Sequence, residues 1–330
     1  MCAISRDADE SLAGSRVLSL FVNPLNAEVL RAHADGPQQV SKLHHKVEWA
    51  AQTTLRAAVA TLSEVGALRN TNGTSYAVEH RLTPAGEEML EVAETLEAWL
   101  ARAQDGPIPP NSKQARSAVK ALASGWNSTV VRALAAQPYS VAELAQVIPE
   151  ADHPALERQL SRMRISKQVE RARGENRTTP FVVTDWLRRS IAPLSVAGRC
   201  ERRHMPAETA PITAIETEAA FLLALPLVIL PETAHGTCVL AVRTGSEQNR
   251  PHDALSGVTV KVERGRVVGC TTEVAARPAT WGLGFPEAWL DAVIDGNLEV
   301  LRFNGAQPRL ARALVNGLHL ALFGNQKPGT

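Results

Sequence analysis

Two stretches of this chain, about 100 residues apart, repeat the same order of secondary-structure signals. The first spans residues 51–86 and the second spans residues 154–186. Each has a helical run, a strand, a turn at Gly73 or Gly174, a second strand and a capped helix. An internal repeat constrains a fold strongly, because the same pattern of apolar residues must form the hydrophobic core of both copies. We therefore predict two similar small domains in tandem.

The first repeat is predicted from its apolar spacing. Leu55, Val59 and Leu62 follow one another at i, i+4 and i+7, which places them on one face of a helix ending at Gly66. Thr83 then caps a helix that carries Pro84 in its first turn. The apolar stripe of that helix is longer than one small domain needs, so we expect it to pair with another helix.

The second repeat follows residues 104–111, a proline-rich and therefore stiff linker. A helical spacing runs from Val119 to Leu134. Ser140 caps the next helix with Glu143 at the capping-box position, and a third helix is predicted over 153–165. Thr184 precedes a last helix.

The pattern of apolar residues changes after Pro206, from mainly helical spacing to a mixture of strands and helices. Residues 238–242 and 258–262 read as strands, the latter followed by a hairpin turn at 263–266. Residues 286–294 and 306–323 read as amphipathic helices. These patterns predict an α+β domain with an antiparallel sheet and closing helices. The chain as a whole is predicted to be mainly α with α+β, that is, two mainly α-helical repeats followed by an α+β domain.

The net charge of +1 conceals a strong asymmetry. Residues 1–105 contain 9 Lys and Arg against 14 Asp and Glu, a net charge of −5. Residues 106–207 contain 16 against 8, a net charge of +8, and residues 208–330 contain 10 against 12, a net charge of −2. A polyanion is therefore expected to be attracted to the middle third of the chain.

Several classes of protein fit poorly. The four cysteines lack metal-ligand spacing, which favours reduced thiols in a cytoplasmic protein without a structural metal. The first fifteen residues do not resemble a signal peptide, and the apolar run 219–230 contains Pro226 and is too short to cross a bilayer. We expect no cofactor and no membrane association.

The two repeats resemble winged-helix regulators of the HxlR and MarR kind. The resemblance rests on Leu55 to Leu68 and on the turn Leu82-Thr83-Pro84-Ala85-Gly86. The second repeat is similar through Trp126-Asn127-Ser128-Thr129 and Thr184, although it has no glycine equivalent to Gly86. The resemblance implies winged-helix domains over residues 16–105 and 112–206, both capable of contacting double-stranded DNA.

Residues 211–325 look like a sterol-carrier-protein-type domain. The resemblance rests on the segments 221–226 and 257–260 and on the closing helix 310–323. It implies a hydrophobic tunnel between sheet and helices. The candidates for binding a hydrophobic ligand are aromatic and aliphatic side chains, namely Trp126, Phe221, Leu225, Trp281, Phe285 and Trp289.

The candidates for binding DNA are unequal between the repeats. The second repeat is rich in cations on its third helix and its wing, namely Arg158, Arg162, Arg164, Lys167, Arg171, Arg173 and Arg177. Such cations suit the major groove and the phosphates. The first repeat offers Gln52, Thr53 and Arg56, which can contact base edges but hold few phosphates. An ordinary solvated charged face is the competing interpretation.

No catalytic constellation is recognisable, so we expect a protein that is not an enzyme. Asp291 and Asp295 lie four residues apart on the polar side of a helix, which suits solvent exposure. The sequence favours a ligand-responsive DNA-binding transcriptional regulator, expected to act as a repressor, that senses a hydrophobic small molecule. The alternative is a protein that sequesters a hydrophobic metabolite or antibiotic. Both a homodimer and a monomer with two paired repeats fit this pattern.

Overall fold

The first repeat is an α-helical unit with a small three-stranded sheet. The computed structural model describes residues 14–71, 78–124, 128–148, 152–172, 179–206, 212–243, 255–274 and 278–324. The elements of the first repeat are α1 (Ser15–Leu20), α2 (Pro24–Ala34), β1 (Gln38–Gln39), α3 (Val40–Lys46), α4 (Gln52–Glu64), β2 (Leu68–Thr71), β3 (Glu79–Leu82) and α5 (Pro84–Leu100). Its strands pair antiparallel in the order β1-β3-β2. The predicted turns at Gly73 and Gly174 lie outside the described residues.

The second repeat has the same order of elements. They are α6 (Lys113–Ser124), α7 (Ser128–Ala136), α8 (Val141–Val147), α9 (His153–Ile165), β4 (Val169–Arg171), β5 (Phe181–Val183), α10 (Asp185–Arg189) and α11 (Ile191–His204). The helical spacing from Val119 to Leu134 thus belongs to two helices. The last helix is also divided, at Ser190. Pro193 has no N–H to donate to the carbonyl of Arg189, which explains that break.

The repeats match at an offset of 101 positions. Val40–Lys46 corresponds to Val141–Val147, and Gln52–Glu64 corresponds to His153–Ile165. The bridge between Tyr139 and Phe181 corresponds to the β1–β3 pair of Gln38 and His80. Equivalent apolar positions form the two cores, with Leu55, Val59 and Leu62 replaced by Leu156, Leu160 and Met163. Both sequences therefore encode one local fold.

The equivalent threonines make the same contacts in both repeats. Thr83 accepts a hydrogen bond from the Gly86 N–H and donates one to the Gly66 carbonyl, with O···O 2.6 Å. Thr184 accepts from the Leu187 N–H and donates to the Lys167 carbonyl at 2.9 Å. Each threonine thereby caps the last helix and fastens it to the end of α4 or α9.

The two repeats pack against each other through equivalent helices. α1 contacts α6, and α5 packs against α11, as its long apolar stripe predicted. The α5–α11 pair is antiparallel, because Glu88 near the start of α5 pairs with Arg203 near the end of α11. Contact between equivalent surfaces is the arrangement of a two-fold dimer, here within one chain.

The C-terminal third is a sheet covered by helices on one face. Its elements are α12 (Ala214–Ala224), β6 (Gly236–Arg243), β7 (Leu255–Glu263), β8 (Arg266–Thr271), β9 (Thr280–Gly284), α13 (Pro286–Ile294), β10 (Arg302–Gly305) and α14 (Pro308–Phe323). The strand order is β10-β9-β6-β7-β8. The α+β class is confirmed in the coarse sense that helices and small sheets share the chain.

The prediction of an antiparallel sheet is wrong for one pair, because β9 runs parallel to β6. β9 was not predicted as a strand, since Thr-Trp-Gly-Leu-Gly contains two glycines and no clear alternation. A Cβ at Gly282 would lie 3.0 Å from the Phe303 ring, so a larger residue there would require the ring to shift by a few tenths of an ångström. The hairpin at 263–266 is confirmed, with Arg264 and Gly265 at φ 48° and 71°, as a type I′ turn requires.

A buried histidine makes the stability of the first repeat depend on pH. His33 of α2 is 2% exposed, and its Nδ1 lies 2.7 Å from the Val29 carbonyl oxygen. Burial lowers the pKa of His33, with His80 and Lys46 contributing positive charge nearby. The unfolded chain takes up this proton near pH 6.5 while the folded chain does not, so stability must fall as the pH drops below that value.

Urea denaturation between pH 7.5 and 5.5 measures this effect. We expect the wild type to lose up to about 1.4 kcal/mol per pH unit below about 6.5. His33→Gln should reduce the slope, leaving the contribution of His80, whose pKa burial also lowers. His45→Gln, a change of an exposed side chain, should leave the slope as it is. Identical curves for wild type and His33→Gln would contradict the assignment.

Candidate functional site

The solvent-exposed side of α9 is cationic, and its other side is buried in the core. Leu156, Leu160 and Met163 face the core, and this orientation leaves Arg158, Arg162 and Arg164 exposed. No ion pair to these three arginines is found among the described residues. Lys167, just beyond the helix, pairs with Asp105 at 3.1 Å, and both side chains are more than half exposed. Such an exposed pair is weak, so Lys167 stays accessible to another anion.

Many other cations of the middle third are engaged inside the molecule. Arg188 donates to the carbonyls of Leu222 and Leu223 at the end of α12, and Arg189 donates to the Ala321 carbonyl of α14. Further ion pairs hold Arg132, Arg199, Arg202 and Arg203. The charge excess of residues 106–207 therefore overstates what a polyanion would meet. Among the described residues, the exposed cations lie mainly on α9 and on α6, where Lys113, Arg116 and Lys120 are exposed.

The remaining cations predicted to bind DNA lie on the hairpin after α9. Arg171, at the end of β4, is exposed, and its guanidinium lies 5.6 Å from the centre of the Phe181 ring. Arg173 and Arg177 lie outside the described residues. Arg171 therefore lies on β4, the strand that directly follows α9 in the chain.

The equivalent helix of the first repeat, α4, has a different surface. Gln52, Thr53 and Arg56 are exposed, while Leu55 and Val59 are buried. Arg56 is the one cation within Gln52–Glu64, against three arginines within His153–Ile165. The two helices are equivalent in the fold and unequal in charge, as the sequence predicted.

An apolar cavity lies between α11 and the helices of the C-terminal third. Its volume is about 150 Å³. Aliphatic and aromatic side chains predominate in its lining, which includes Ile191, Leu194, Ala220, Phe221, Ala224, Trp289, Val293, Leu318 and Leu322. Phe221 and Trp289 meet edge to face, with ring centres 4.9 Å apart. Engineered cavities of similar size take up a single aromatic ring.

The structure brings together two of the predicted ligand-binding residues, Phe221 and Trp289. Leu225 is fully buried in the core beside the cavity and does not line it. Phe285 is the N-cap of α13 and carries Arg243 over its ring at 5.5 Å. Trp126 lies outside the described residues.

Trp281 belongs to the opposite face of the sheet. It pairs with Val239, while Gly282 pairs with Leu240, whose side chain faces the helices. Because side chains alternate along a strand, Trp281 points away from the cavity. Proximity in sequence to Trp289 therefore misled the prediction that the two line one pocket.

Sequence reasoning missed the contribution of α11. Ile191, Leu194, Ser195 and Gly198 of α11 line the cavity. Small residues at Ser195 and Gly198 leave space beside Ala220 of α12, and that pattern was the available signal. Polar groups at the wall are already engaged, since Glu216 and Thr217 both bond to Thr213 of the α12 cap. The cavity therefore suits an apolar ligand.

A buried arginine joins the three parts of the chain next to this cavity. Arg199 of α11 donates to both oxygens of Asp295 on α13 at 2.8 and 2.7 Å, and to both oxygens of Glu91 on α5 at 3.0 Å. Burial opposes its charge, but the two carboxylates raise the pKa of Arg199 above its usual value. Asp291 and Asp295, predicted to face solvent, have side chains that are 33% and 50% exposed, and they also pair with Arg203 and Arg199.

The three cysteines in the described part of the chain are buried or half-buried thiols. Cys200, Cys238 and Cys270 are free thiols, and burial raises the pKa of each to about 12. A thiol is a poor nucleophile at such a pKa. Within the described ranges, no group of three His, Cys, Asp or Glu side chains is arranged to hold a metal ion.

No helix in the described part of the chain is both long enough and apolar enough to span a lipid bilayer. No family model matches this chain, and no curated protein matches it. The functional proposal therefore rests on the geometry described above.

Proposed function

We propose that this chain is a DNA-binding transcriptional regulator, expected to act as a repressor, whose apolar cavity binds a hydrophobic effector. In each repeat, a helix precedes a two-stranded hairpin and a capped helix follows it, which supports winged helices with α4 and α9 as the recognition helices. The observation that carries the proposal is the exposed arginine surface of α9, in a segment whose other arginines are largely engaged.

The pairing of the repeats supports a two-sided contact with DNA. Equivalent helices meet at α1–α6 and α5–α11, as equivalent subunits do in a two-fold dimer. A single chain then presents α4 and α9 in the way that a dimer presents two recognition helices. We propose that α9 supplies most of the phosphate contacts and that α4 mainly fixes the geometry.

The position of the cavity supports control by a ligand. α11 lines the cavity on one side and packs against α5 on the other. A ligand that binds more tightly to one arrangement of α11 would shift the relation between the two repeats. The proposed effector is a small apolar molecule, because the lining leaves few free polar groups. Mass spectrometry of small molecules that co-purify with the protein tests this part.

The DNA contact is tested by a gel shift with the promoter nearest to the protein's own gene. For Arg158→Ala/Arg162→Ala we expect affinity to fall about tenfold to a hundredfold and the slope of log K against log salt to decrease in magnitude by about 2. Each lost phosphate contact removes close to one unit of slope. Arg302→Ala, an exposed arginine on β10, should change neither quantity and is the matched control.

Unchanged affinity and slope in the double variant would show that α9 is not the recognition helix. Failure of the folded wild type to shift the promoter at low salt would contradict DNA binding itself.

The alternative function, sequestration of a hydrophobic metabolite or antibiotic, is favoured by one observation. The exposed side of α4 carries a single arginine, the carboxylate of Glu64 and otherwise uncharged polar or small residues, which is a weak surface for DNA. Nanomolar binding of an apolar ligand without promoter binding would decide for this alternative.

A further inference from the structure

A second cavity, separate from the apolar one, lies beneath α9. Its volume is about 550 Å³, within the range of about 300–1,000 Å³ typical of small-molecule sites. It is open to solvent on one side and is lined by α6, the end of α9, the start of α10 and the linker residue Ile108. Ile108, Met163 and Trp186 form a buried apolar wall. Lys120, Arg162 and Lys167 bring three cations to the same space.

Comparison of the two repeats shows that residues lining this cavity differ from their equivalents in the first repeat. Lys167 adopts a left-handed conformation, with φ 59°, at the position that Gly66 occupies in the first repeat with φ 76°. A lysine there is strained, whereas a glycine is not. The second repeat keeps this strained backbone at Lys167, and the Lys167 side chain lines the cavity. Both observations indicate that the side chain has a role beyond folding.

The next residue diverges in the same way. Gln168 occupies the position equivalent to Ala67. The residue as a whole is 4% exposed, and it lines the cavity. No hydrogen bond to its side-chain amide is found among the described residues, although its backbone N–H and carbonyl are both bonded. The Gln168 amide reaches the open space of the cavity, so the cavity offers a ligand both a cationic end and a hydrogen-bonding side.

We propose that this cavity is a binding site for a small amphipathic carboxylate. The carboxylate contacts Lys167 and Arg162, the Gln168 amide donates to it, and the apolar body lies against Met163 and Trp186. The Asp105 carboxylate now paired with Lys167 at 3.1 Å is exposed, so the ligand carboxylate displaces it at small cost. If α9 also binds DNA, which rests on the proposed function, the ligand withdraws Arg162 from the phosphates.

The test is calorimetric titration of the full chain with sodium 2-naphthoate and with its uncharged analogue 2-naphthamide, without DNA. We expect the naphthoate to bind at least about tenfold more tightly, as one charge-assisted hydrogen bond would produce. Lys167→Gly and Gln168→Ala, which restore the residues of the first repeat, should each weaken naphthoate binding by about tenfold or more. Asp105→Asn should tighten it, since it removes the competing carboxylate.

Lys167→Gly separates binding from folding, because glycine relieves the left-handed strain and the melting temperature should be unchanged or higher. Arg158→Ala, on α9 but not lining the cavity, should leave naphthoate binding unchanged while weakening DNA binding. Ala220→Phe fills the apolar cavity, and it too should leave the affinity for naphthoate unchanged. Equal affinity for acid and amide, loss of binding only in Ala220→Phe, or no binding at millimolar naphthoate would overturn the proposal.

Discussion

Replacing Trp186 with alanine is expected to lower the free energy of unfolding by about 3–5 kcal/mol. Trp186 begins α10 and stacks on Trp99 at the end of α5, with ring centres 4.4 Å apart and planes 6° from parallel. Trp99 Nε1 donates to the Trp186 carbonyl at 2.9 Å, and Trp186 Nε1 donates to the Trp99 carbonyl at 3.0 Å. Both residues are buried, so truncation removes the ring contact and one of the two hydrogen bonds that the Trp99 carbonyl accepts, the other coming from the Arg102 N–H.

Urea denaturation followed by near-ultraviolet circular dichroism measures this loss. Trp186→Phe keeps an aromatic ring but loses the N–H donor, and we expect it to cost about 1–3 kcal/mol. A double-mutant cycle of Trp99→Ala and Trp186→Ala should show a coupling energy of about 0.5–3 kcal/mol. Trp49→Ala is the control, since that side chain is 60% exposed and should change stability by less than about 0.5 kcal/mol. A loss below about 1 kcal/mol for Trp186→Ala would contradict a structural role.

The Trp pair also shows how the repeats have diverged while keeping their contact. At the offset of 101 positions, Trp186 corresponds to Ala85 and Trp99 corresponds to Cys200. The antiparallel helices therefore meet through two tryptophans at one end, while alanine and cysteine occupy the equivalent positions at the other. This asymmetry matches the unequal charge of α4 and α9. The paired repeats share a fold and differ in what they present.

Local signals in the sequence predicted local structure well. The bounds of α9 and α13 agree with the predicted helices, and Ser140 with Glu143 forms the predicted capping box. These features depend on residues three or four positions apart, which a single sequence displays directly. The exposure of Arg158 and Arg162 was predictable for the same reason, because their spacing sets them opposite Leu156 and Leu160.

Features that depend on distant parts of the chain could not be predicted in this way. The parallel pairing of β9 with β6 joins strands about 40 residues apart with no periodic signal. The apolar side chains of α11 that line the cavity look the same in sequence as those that fill a core. The pairing of Asp295 with Arg199 could not be predicted, because the two residues lie 96 positions apart in the sequence. Polar residues on a helix do not reveal whether an oppositely charged helix packs beside them.

Arg199→Met is expected to lower the free energy of unfolding by about 2–4 kcal/mol, somewhat less than the ~3–5 kcal/mol typical of a fully buried ion pair. The Arg199 side chain is 7% exposed, while those of Glu91 and Asp295 are 41% and 50% exposed. Methionine fills the volume, but both carboxylates then face each other without their cation. Their partial access to water limits the penalty.

Arg203→Met is the matched control on the same helix. Arg203 also bridges α5 and α13, through Glu88 and Asp291, but its side chain is 45% exposed, so we expect a loss of only about 0–1 kcal/mol. The measurement is urea denaturation together with hydrogen exchange of α13, which should speed up in Arg199→Met more than in Arg203→Met.

The triple change Arg199→Met/Glu91→Leu/Asp295→Leu distinguishes a charge network from simple packing. Replacing a whole buried ionic cluster with apolar side chains is often neutral or stabilising, because no charge is left unpaired. We therefore expect the triple variant to recover most of the stability lost in Arg199→Met. If it is less stable than the single variant, the arginine acts mainly through its packing. Recovery would show that Arg199 holds the two repeats and the C-terminal third together by pairing charges that none of them satisfies alone.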